Sequence, residues 1–197
     1  MVFDTGRGHV KMTHEKTGES THGLYLVHTG NGKGKSSAAL NLVYRHLAHG
    51  KSAAVFFFVK NPDNFDYGDI KMLKVLRSQG CPVTITMMGA GFTWVTGDTE
   101  KVRQLACNAW ELASGAIMDP KIDLVVCDEL HIALHYHQLP LEPVLETLTK
   151  RPKTSHVVTT GRNAPDALVA IADLVTEFTE VKHPYHAGVK AQRGIEF

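Results

Sequence analysis

Residues 29 to 37 decide the fold, and they read Thr29-Gly30-Asn31-Gly32-Lys33-Gly34-Lys35-Ser36-Ser37. A short β-prone run, residues 23–29, precedes this stretch. Residues 35–49 follow it with a helical pattern that Gly50 ends. A glycine-rich loop between a strand and a helix is the context that makes a phosphate-binding P-loop credible. The alternative is a glycine-rich turn that binds no ligand.

The chemistry of the loop favours a nucleoside triphosphate, and ATP in particular. Glycines let the backbone fold into a concave nest of inward-pointing N–H groups, and the following helix adds its positive dipole end. Lys35 adds a full charge, while the Ser36 hydroxyl suits a bound Mg²⁺. Thr29 departs from the general pattern, which has glycine at that position. The predicted phosphate contacts are Gly30, Asn31, Gly32, Lys33, Gly34, Lys35, Ser36 and Ser37.

Strand and helix patterns alternate about six times after the loop. Residues 52–59, SAAVFFFV, form a continuous apolar run typical of a strand buried on both faces. Parallel strands need crossover connections, which helices supply. The pattern predicts a single-domain, doubly wound α/β P-loop (RecA-like) fold with a mostly parallel sheet of about six strands. We expect the domain to span residues 23–197, after a polar arm at residues 1–22, and ligands to bind where the strands end.

Composition narrows the function classes. The 197 residues carry a formal net charge of +1, so they provide no basic field for nucleic acid. The sequence contains no apolar run of about 20 residues for a membrane span, and the polar N-terminus lacks a signal-peptide core. We therefore expect a cytoplasmic protein. Cys107 and Cys127 lie in apolar stretches and are expected in the core.

Two further strand ends carry candidate site residues. Residues 122–127 form an apolar strand followed by Asp128 and Glu129, where an acid helps to hold Mg²⁺ in P-loop proteins. Glu129 could alternatively act as a general base, or the acids could cap a helix. Arg162 follows another strand and could clamp phosphate or form a surface salt bridge. His131 and His135 have zinc-compatible spacing, but no matching pair accompanies them.

The segment Met88-Gly89-Ala90-Gly91-Phe92-Thr93-Trp94 places two large aromatic residues on a glycine-containing loop. Such residues either cover a flat, apolar ligand at the edge of the binding site or fold back into the core.

Several motifs together resemble the ATP:corrinoid adenosyltransferases of the CobA (BtuR/CobO) type. They are GNGKGKS at residues 30–36, GAGFTW at 89–94, DEL at 128–130, TGRNAPDALVAIADLVTE at 160–177 and VKHPYHAGVKAQRGIEF at 181–197. The resemblance implies transfer of the 5′-deoxyadenosyl group of ATP to the Co(I) of a corrinoid, with release of inorganic triphosphate. It also implies a reversed direction of ATP in the P-loop, an electron from a reduced flavoprotein and a homodimer.

The resemblance also assigns roles to individual residues. Phe92 and Trp94 would displace the lower axial ligand of the corrinoid, which eases reduction of Co(II). Lys35 and Arg162 would stabilise the leaving triphosphate, and Ser36 and Glu129 would hold Mg²⁺. Residues 1–22 would help to cover the site, although their sequence departs from the family pattern, and Ser36 replaces the usual threonine. An ordinary P-loop ATPase or kinase, and a carrier without catalytic activity, remain the alternative functions.

Overall fold

The computed structural model describes residues 22–60, 67–87 and 99–196, with the side chain of Thr99 excepted. Its strands are β1 (Tyr25–Thr29), β2 (Ala53–Phe57), β3 (Val83–Met87), β4 (Leu124–Asp128), β5 (His156–Thr160) and β6 (Leu174–Glu177). Its α-helices are α1 (Lys35–Ala48), α2 (Gly68–Ser78), α3 (Thr99–Met118), α4 (Leu130–His135), α5 (Leu141–Lys150) and α6 (Asp166–Ile171). A 3₁₀ turn, Pro184–Ala187, lies near the C-terminus.

The six strands form one sheet in the order β3-β2-β4-β5-β1-β6, and every neighbouring pair is parallel. Helices cover both faces, so the sheet is doubly wound. The predicted fold class, a doubly wound P-loop (RecA-like) domain of about six strands, is therefore confirmed. The register aligns Phe57 with both Met87 and Asp128, so these strands end at a common edge.

The two faces of the sheet bury separate sets of apolar side chains. Along β2, Ala53, Val55 and Phe57 pack with α1 and α2, whereas Ala54 and Phe56 pack with the opposite layer of helices. Every residue of β2 is buried, which confirms the expectation for the SAAVFFFV run. The alternation follows from the two-residue period of a strand, which sends successive side chains to opposite faces.

Two expectations from the sequence were wrong in detail. Cys127 is buried as expected, but Cys107 is exposed. The period of α3 turns Ala106 and Trp110 inward, and this leaves residue 107 on the outer face. The sequence pattern also assigned no element to Leu130–His135, which forms the short helix α4. None of the described helices is long and apolar enough to cross a membrane.

Two glycines provide a test of this packing. A Cβ at Gly23 would lie 2.3 Å from the carbonyl oxygen of Ser155, whereas a Cβ at Gly115, within α3, would meet nothing within 4 Å. We expect Gly23→Ala to lower the free energy of unfolding by about 1–3 kcal/mol through overpacking. Gly115→Ala should raise it by about 0.5–1 kcal/mol because alanine is the better helix former. Urea denaturation measures both, and equal effects of the two substitutions would contradict this packing.

Candidate nucleotide site

The P-loop connects the end of β1 to the start of α1, as predicted. Gly30 and Gly34 have φ angles of 93° and 109°, in the left-handed region that favours glycine. The amide of Gly32 donates a hydrogen bond to the Phe178 carbonyl (2.6 Å), and a Cβ at Gly30 would lie 2.5 Å from that same oxygen. The segment that follows β6 thus holds the loop closely, and side chains at these two positions would push it away.

Lys35 lies within the nest that the loop forms. Its Nζ donates hydrogen bonds to the carbonyl oxygens of Gly30 (2.7 Å) and Gly32 (2.6 Å). Burial lowers the pKa of the Lys35 ammonium; Glu129 opposes this effect and Arg162 adds to it. An ammonium has three N–H donors, so these two carbonyls leave one donor for another acceptor.

The two acids at the end of β4 occupy different environments. Oδ1 of Asp128 accepts a hydrogen bond from the Thr160 hydroxyl (2.9 Å). Its Oδ2 accepts no hydrogen bond of good geometry within the described part of the chain, but it lies 3.3 Å from the Nζ of Lys60. Glu129, in contrast, lines a cavity of about 690 Å³ next to the P-loop. Of the two carboxylates, Glu129 is the one that faces this cavity.

The backbone of Glu129 is in a strained conformation. Its φ of 60° and ψ of 24° are left-handed, which is uncommon for a residue other than glycine. Its amide donates to the Thr160 hydroxyl oxygen (2.9 Å), which anchors this turn to β5. Burial, and then the adjacent Asp128, raise the pKa of the Glu129 carboxyl to about 7. A carboxyl with a raised pKa in a cleft is typical of a functional site.

Arg162 reaches the same cavity from the end of β5. It follows Gly161, whose φ is 138° and whose amide donates to the His28 carbonyl (3.2 Å). Arg162 lines the cavity together with the P-loop and Glu129. The structure brings together the predicted residues Asn31, Gly32, Lys33, Gly34, Lys35, Ser36, Ser37, Glu129 and Arg162.

Several residues of the cavity wall were not predicted from the sequence, among them Lys60, Ile195 and Glu196. Lys60 packs over the ring of Phe57 (4.6 Å to its centroid) and that of Tyr67 (5.3 Å). Its position directly after the apolar run at residues 52–59 was the available signal, because β2, which lies within that run, ends at the same edge as β4. Ile195 and Glu196 also line the cavity, and Glu196 forms an ion pair with Lys33. No local pattern predicts that the C-terminal segment returns to the P-loop.

The histidine pair does not share a common site. His131 is fully buried, and both of its ring nitrogens have partners: the Gly161 carbonyl and the Thr159 hydroxyl. Burial lowers its pKa to about 4, so the ring is neutral at ordinary pH. His135 is exposed and lines the cavity. Phe92 and Trp94 lie outside the described residues.

Glu129 allows a test through the pH dependence of stability. Its folded pKa of about 7 exceeds the ordinary value of 4.5. The folded state therefore holds the extra proton, and stability falls as pH rises from about 4.5 to about 7. Glu129→Gln removes this effect, so at pH 8 the variant should be more stable than the parent by up to about 3 kcal/mol. At pH 5 the difference should fall below about 1 kcal/mol.

Urea denaturation at the two pH values measures the difference. Glu111→Gln, on the exposed surface of α3, is the matched control and should change the free energy of unfolding by less than about 0.5 kcal/mol. A Glu129 variant that is less stable than the parent at pH 8 would contradict the assigned environment.

Comparison with known proteins identifies the family of this chain. The family model described as ATP:corrinoid adenosyltransferase BtuR/CobO/CobP matches residues 21–197. A corrinoid adenosyltransferase of Pseudomonas aeruginosa is 43% identical, covering 89% of this chain and 84% of its own length. One from a Sinorhizobium species is 40% identical, with coverages of 95% and 85%. Corrinoid adenosyltransferase CobA of Salmonella typhimurium is 37% identical, with coverages of 91% and 88%.

Among solved structures, the flagellar accessory protein FlaH of Methanocaldococcus jannaschii aligns with a TM-score of 0.46 and 12% identity, covering 79% of this chain and 71% of its own. The family assignment depends on the sequence matches, which span nearly the whole described chain. On that evidence, the chain belongs to the ATP:corrinoid adenosyltransferase family of enzymes.

Proposed function

We propose that this enzyme transfers the 5′-deoxyadenosyl group of ATP to the Co(I) of a corrinoid and releases inorganic triphosphate. The observation that carries the proposal is the single cavity that the P-loop, Glu129 and Arg162 line together. Its volume of about 690 Å³ suits a nucleotide. The family match supplies the corrinoid as second substrate.

The proposed step is a displacement at the sugar carbon. The electron pair of Co(I) forms the Co–C5′ bond, the C5′–O bond breaks, and its electron pair leaves with the triphosphate. Negative charge therefore grows on the leaving oxygen, and fixed positive groups near it lower the barrier. Lys35 has a free donor for this purpose, and Arg162, an exposed residue, lines the same cavity. Lys33 adds a further cation on the loop.

The other P-loop residues would surround the phosphates. The backbone at Gly30, Asn31, Gly32 and Gly34 would supply the nest. Of these four residues, Gly30 is not among those that line the cavity, whereas Ser36 and Ser37 are. As the resemblance implies, we propose that ATP lies in this loop in the direction reversed from other P-loop proteins. The loop then holds a leaving group and does not position a phosphoryl group for transfer.

The residues of the cavity fit a magnesium ion. Glu129 and Ser36 both line it, and hard oxygen donors such as a carboxylate and a hydroxyl are those that Mg²⁺ prefers. Glu129 is the better candidate of the two acids, since Thr160 and Lys60 already engage Asp128. When bound, Mg²⁺ would neutralise charge on the triphosphate.

Phe92 and Trp94 are proposed to act on the corrinoid. They would displace its lower axial ligand, which leaves a four-coordinate Co(II) that accepts an electron more readily. A reduced flavoprotein would donate that electron. The family match supports this role, and so does the position of the preceding strand: β3 ends at Met87, at the same sheet edge as Asp128 and the P-loop.

Further proposals concern the organisation of the protein. We propose that residues 23–197 form the adenosyltransferase domain and that the arm at residues 1–22 helps to cover the site. The resemblance also supports a homodimer that works in the cytoplasm. Size-exclusion chromatography with light scattering tests the dimer directly.

Two substitutions should separate the nucleotide half of the site from the corrinoid half. Lys35→Ala removes a charge-assisted hydrogen bond to phosphate, so it should weaken MgATP binding by about 10–100-fold. Trp94→Ala should leave MgATP binding nearly unchanged but abolish the spectrum of four-coordinate Co(II) when MgATP and cob(II)alamin are present. Isothermal titration and visible spectroscopy provide the two measurements.

Trp94→Phe is the matched control, because it keeps a flat aromatic ring and should retain part of the four-coordinate signal. Identical Co(II) spectra in the Trp94→Ala variant and the parent would remove Trp94 from the proposed role. Unchanged ATP affinity in the Lys35→Ala variant would remove the loop lysine.

A further inference from the structure

A buried chain of hydrogen bonds lies directly behind the turn that carries Arg162. His131 is fully buried in α4, and its Nδ1 lies 3.1 Å from the Gly161 carbonyl oxygen. Its Nε2 lies 2.8 Å from the hydroxyl of Thr159, which in turn lies 3.0 Å from the hydroxyl of Tyr25. The chain thus joins β1, β5 and α4 beneath the cavity.

Chemistry fixes the direction of each hydrogen bond in this chain. A carbonyl oxygen can only accept a hydrogen bond. Nδ1 of His131 must therefore be protonated, and its N–H donates a hydrogen bond to the Gly161 carbonyl oxygen. Nε2 is then an acceptor and receives the Thr159 hydroxyl proton. Thr159 can accept the Tyr25 hydroxyl proton in turn. Both ring nitrogens are therefore used, and one tautomer of the ring satisfies both contacts.

The Gly161–Arg162 turn also packs directly against His131. A Cβ at Gly161 would lie 2.8 Å from the Cβ of His131 and 3.1 Å from its amide nitrogen. The turn therefore rests on His131 through van der Waals contact as well as through the hydrogen bond. The next residue along the chain is Arg162, which lines the nucleotide cavity. His131 itself is not among the residues that line this cavity.

A second contact, through the buried Thr160, joins the same two elements. The amide of Glu129, directly before α4, donates to the Thr160 hydroxyl oxygen, and Thr160 donates to Asp128. Two connections thus fix the start of α4 to the end of β5. The hydrogen bond and the close packing between His131 and Gly161 restrain the Gly161–Arg162 turn relative to α4.

We propose that His131 is a positioning residue, which holds the Gly161–Arg162 turn so that the Arg162 guanidinium faces Glu129 across the triphosphate. It acts through its Nδ1–H donor and not by contact with substrate. The inference rests on the proposed function in one respect, namely that Arg162 binds the triphosphate of ATP. It extends that function by assigning a residue to which neither the P-loop nor the acid motif points.

The competing explanation is that His131 only fills space in the core. The two explanations predict different effects when the imidazole ring is replaced. If His131 only fills space, leucine can replace it without loss of tripolyphosphate affinity. If His131 positions the turn, its replacement must keep a hydrogen-bond donor near the Nδ1 position. Asparagine places an amide N–H near the Nδ1 position, and glutamine places one near Nε2 instead. These substitutions therefore separate volume from hydrogen bonding.

The test measures binding of MgATP and of magnesium tripolyphosphate to the full chain by isothermal titration, without corrinoid. We expect His131→Leu to weaken tripolyphosphate binding about 10-fold, as the loss of one oriented charged contact predicts. His131→Asn should recover most of that affinity. In an Arg162→Ala background, His131→Leu should have no further effect, because the contact on which it acts is already absent.

His156→Leu is the matched control: this half-buried histidine lies on the same strand, β5, but at the end away from the cavity. It should leave tripolyphosphate affinity unchanged even if it lowers the melting temperature. If the His131→Leu variant does not fold, the test compares the His131→Asn and His131→Gln variants. The asparagine variant is then expected to bind tripolyphosphate several-fold more tightly than the glutamine variant.

The proposal would be overturned if the His131→Leu variant bound tripolyphosphate as tightly as the parent. It would also be overturned if His131→Leu weakened binding by the same factor in the Arg162→Ala background. A third contradicting result would be a His131→Gln variant that binds tripolyphosphate as tightly as the His131→Asn variant. The proposed function fails by a different result, in which the parent chain itself binds neither MgATP nor magnesium tripolyphosphate.

Discussion

The hydroxyl of Thr160 lies at the contact on which the arrangement of the site depends. It donates to Asp128 at the end of β4 and accepts from the amide of Glu129 in the following turn. The parallel register makes this contact possible, since it pairs Cys127 with Thr159 and His28 with Thr160. The Thr160 side chain therefore fixes β4, which ends at the two acids, to β5, which leads to Arg162. On its other side, β5 pairs with β1, which leads into the P-loop.

The site concentrates charge at some cost to the fold. Glu129 is held in a left-handed conformation beside a second carboxylate, and its pKa is raised to about 7. Lys35 is partly desolvated, with its ammonium turned toward backbone carbonyls. Groups held in this way are already oriented when a charged ligand arrives, which is the general basis of electrostatic preorganisation. Stability and function are expected to oppose each other at such positions.

The sequence predicted most of the fold for physical reasons that act locally. The continuous apolar run of β2, the glycines after α1 and α2, and the strand–loop–helix context of the P-loop each leave a pattern within a few residues. Cys107 was misplaced because apolar neighbours along the chain do not reveal which face of a helix a residue occupies. The helix α4 was missed because six residues contain too little periodicity to distinguish a helix from a loop.

The candidate site could be predicted only in part. Lys35, Glu129 and Arg162 follow strand ends, and parallel strands bring their ends together, so their convergence followed from topology. Lys60 and Glu196 reach the cavity through tertiary packing that no short motif records. The role of His131 likewise depends on a contact with Gly161, thirty positions along the chain. Such long-range contacts become visible only when the folded chain is known.

The central claim is that the P-loop holds the triphosphate of ATP as a leaving group. Incubation of the enzyme with MgATP and chemically reduced cob(I)alamin, followed by phosphorus NMR of the products, tests it most directly. The account predicts intact inorganic triphosphate in a one-to-one ratio with adenosylcobalamin, and no ADP. ADP with orthophosphate, formed without alkylated corrinoid, would contradict it and would identify an ordinary P-loop hydrolase.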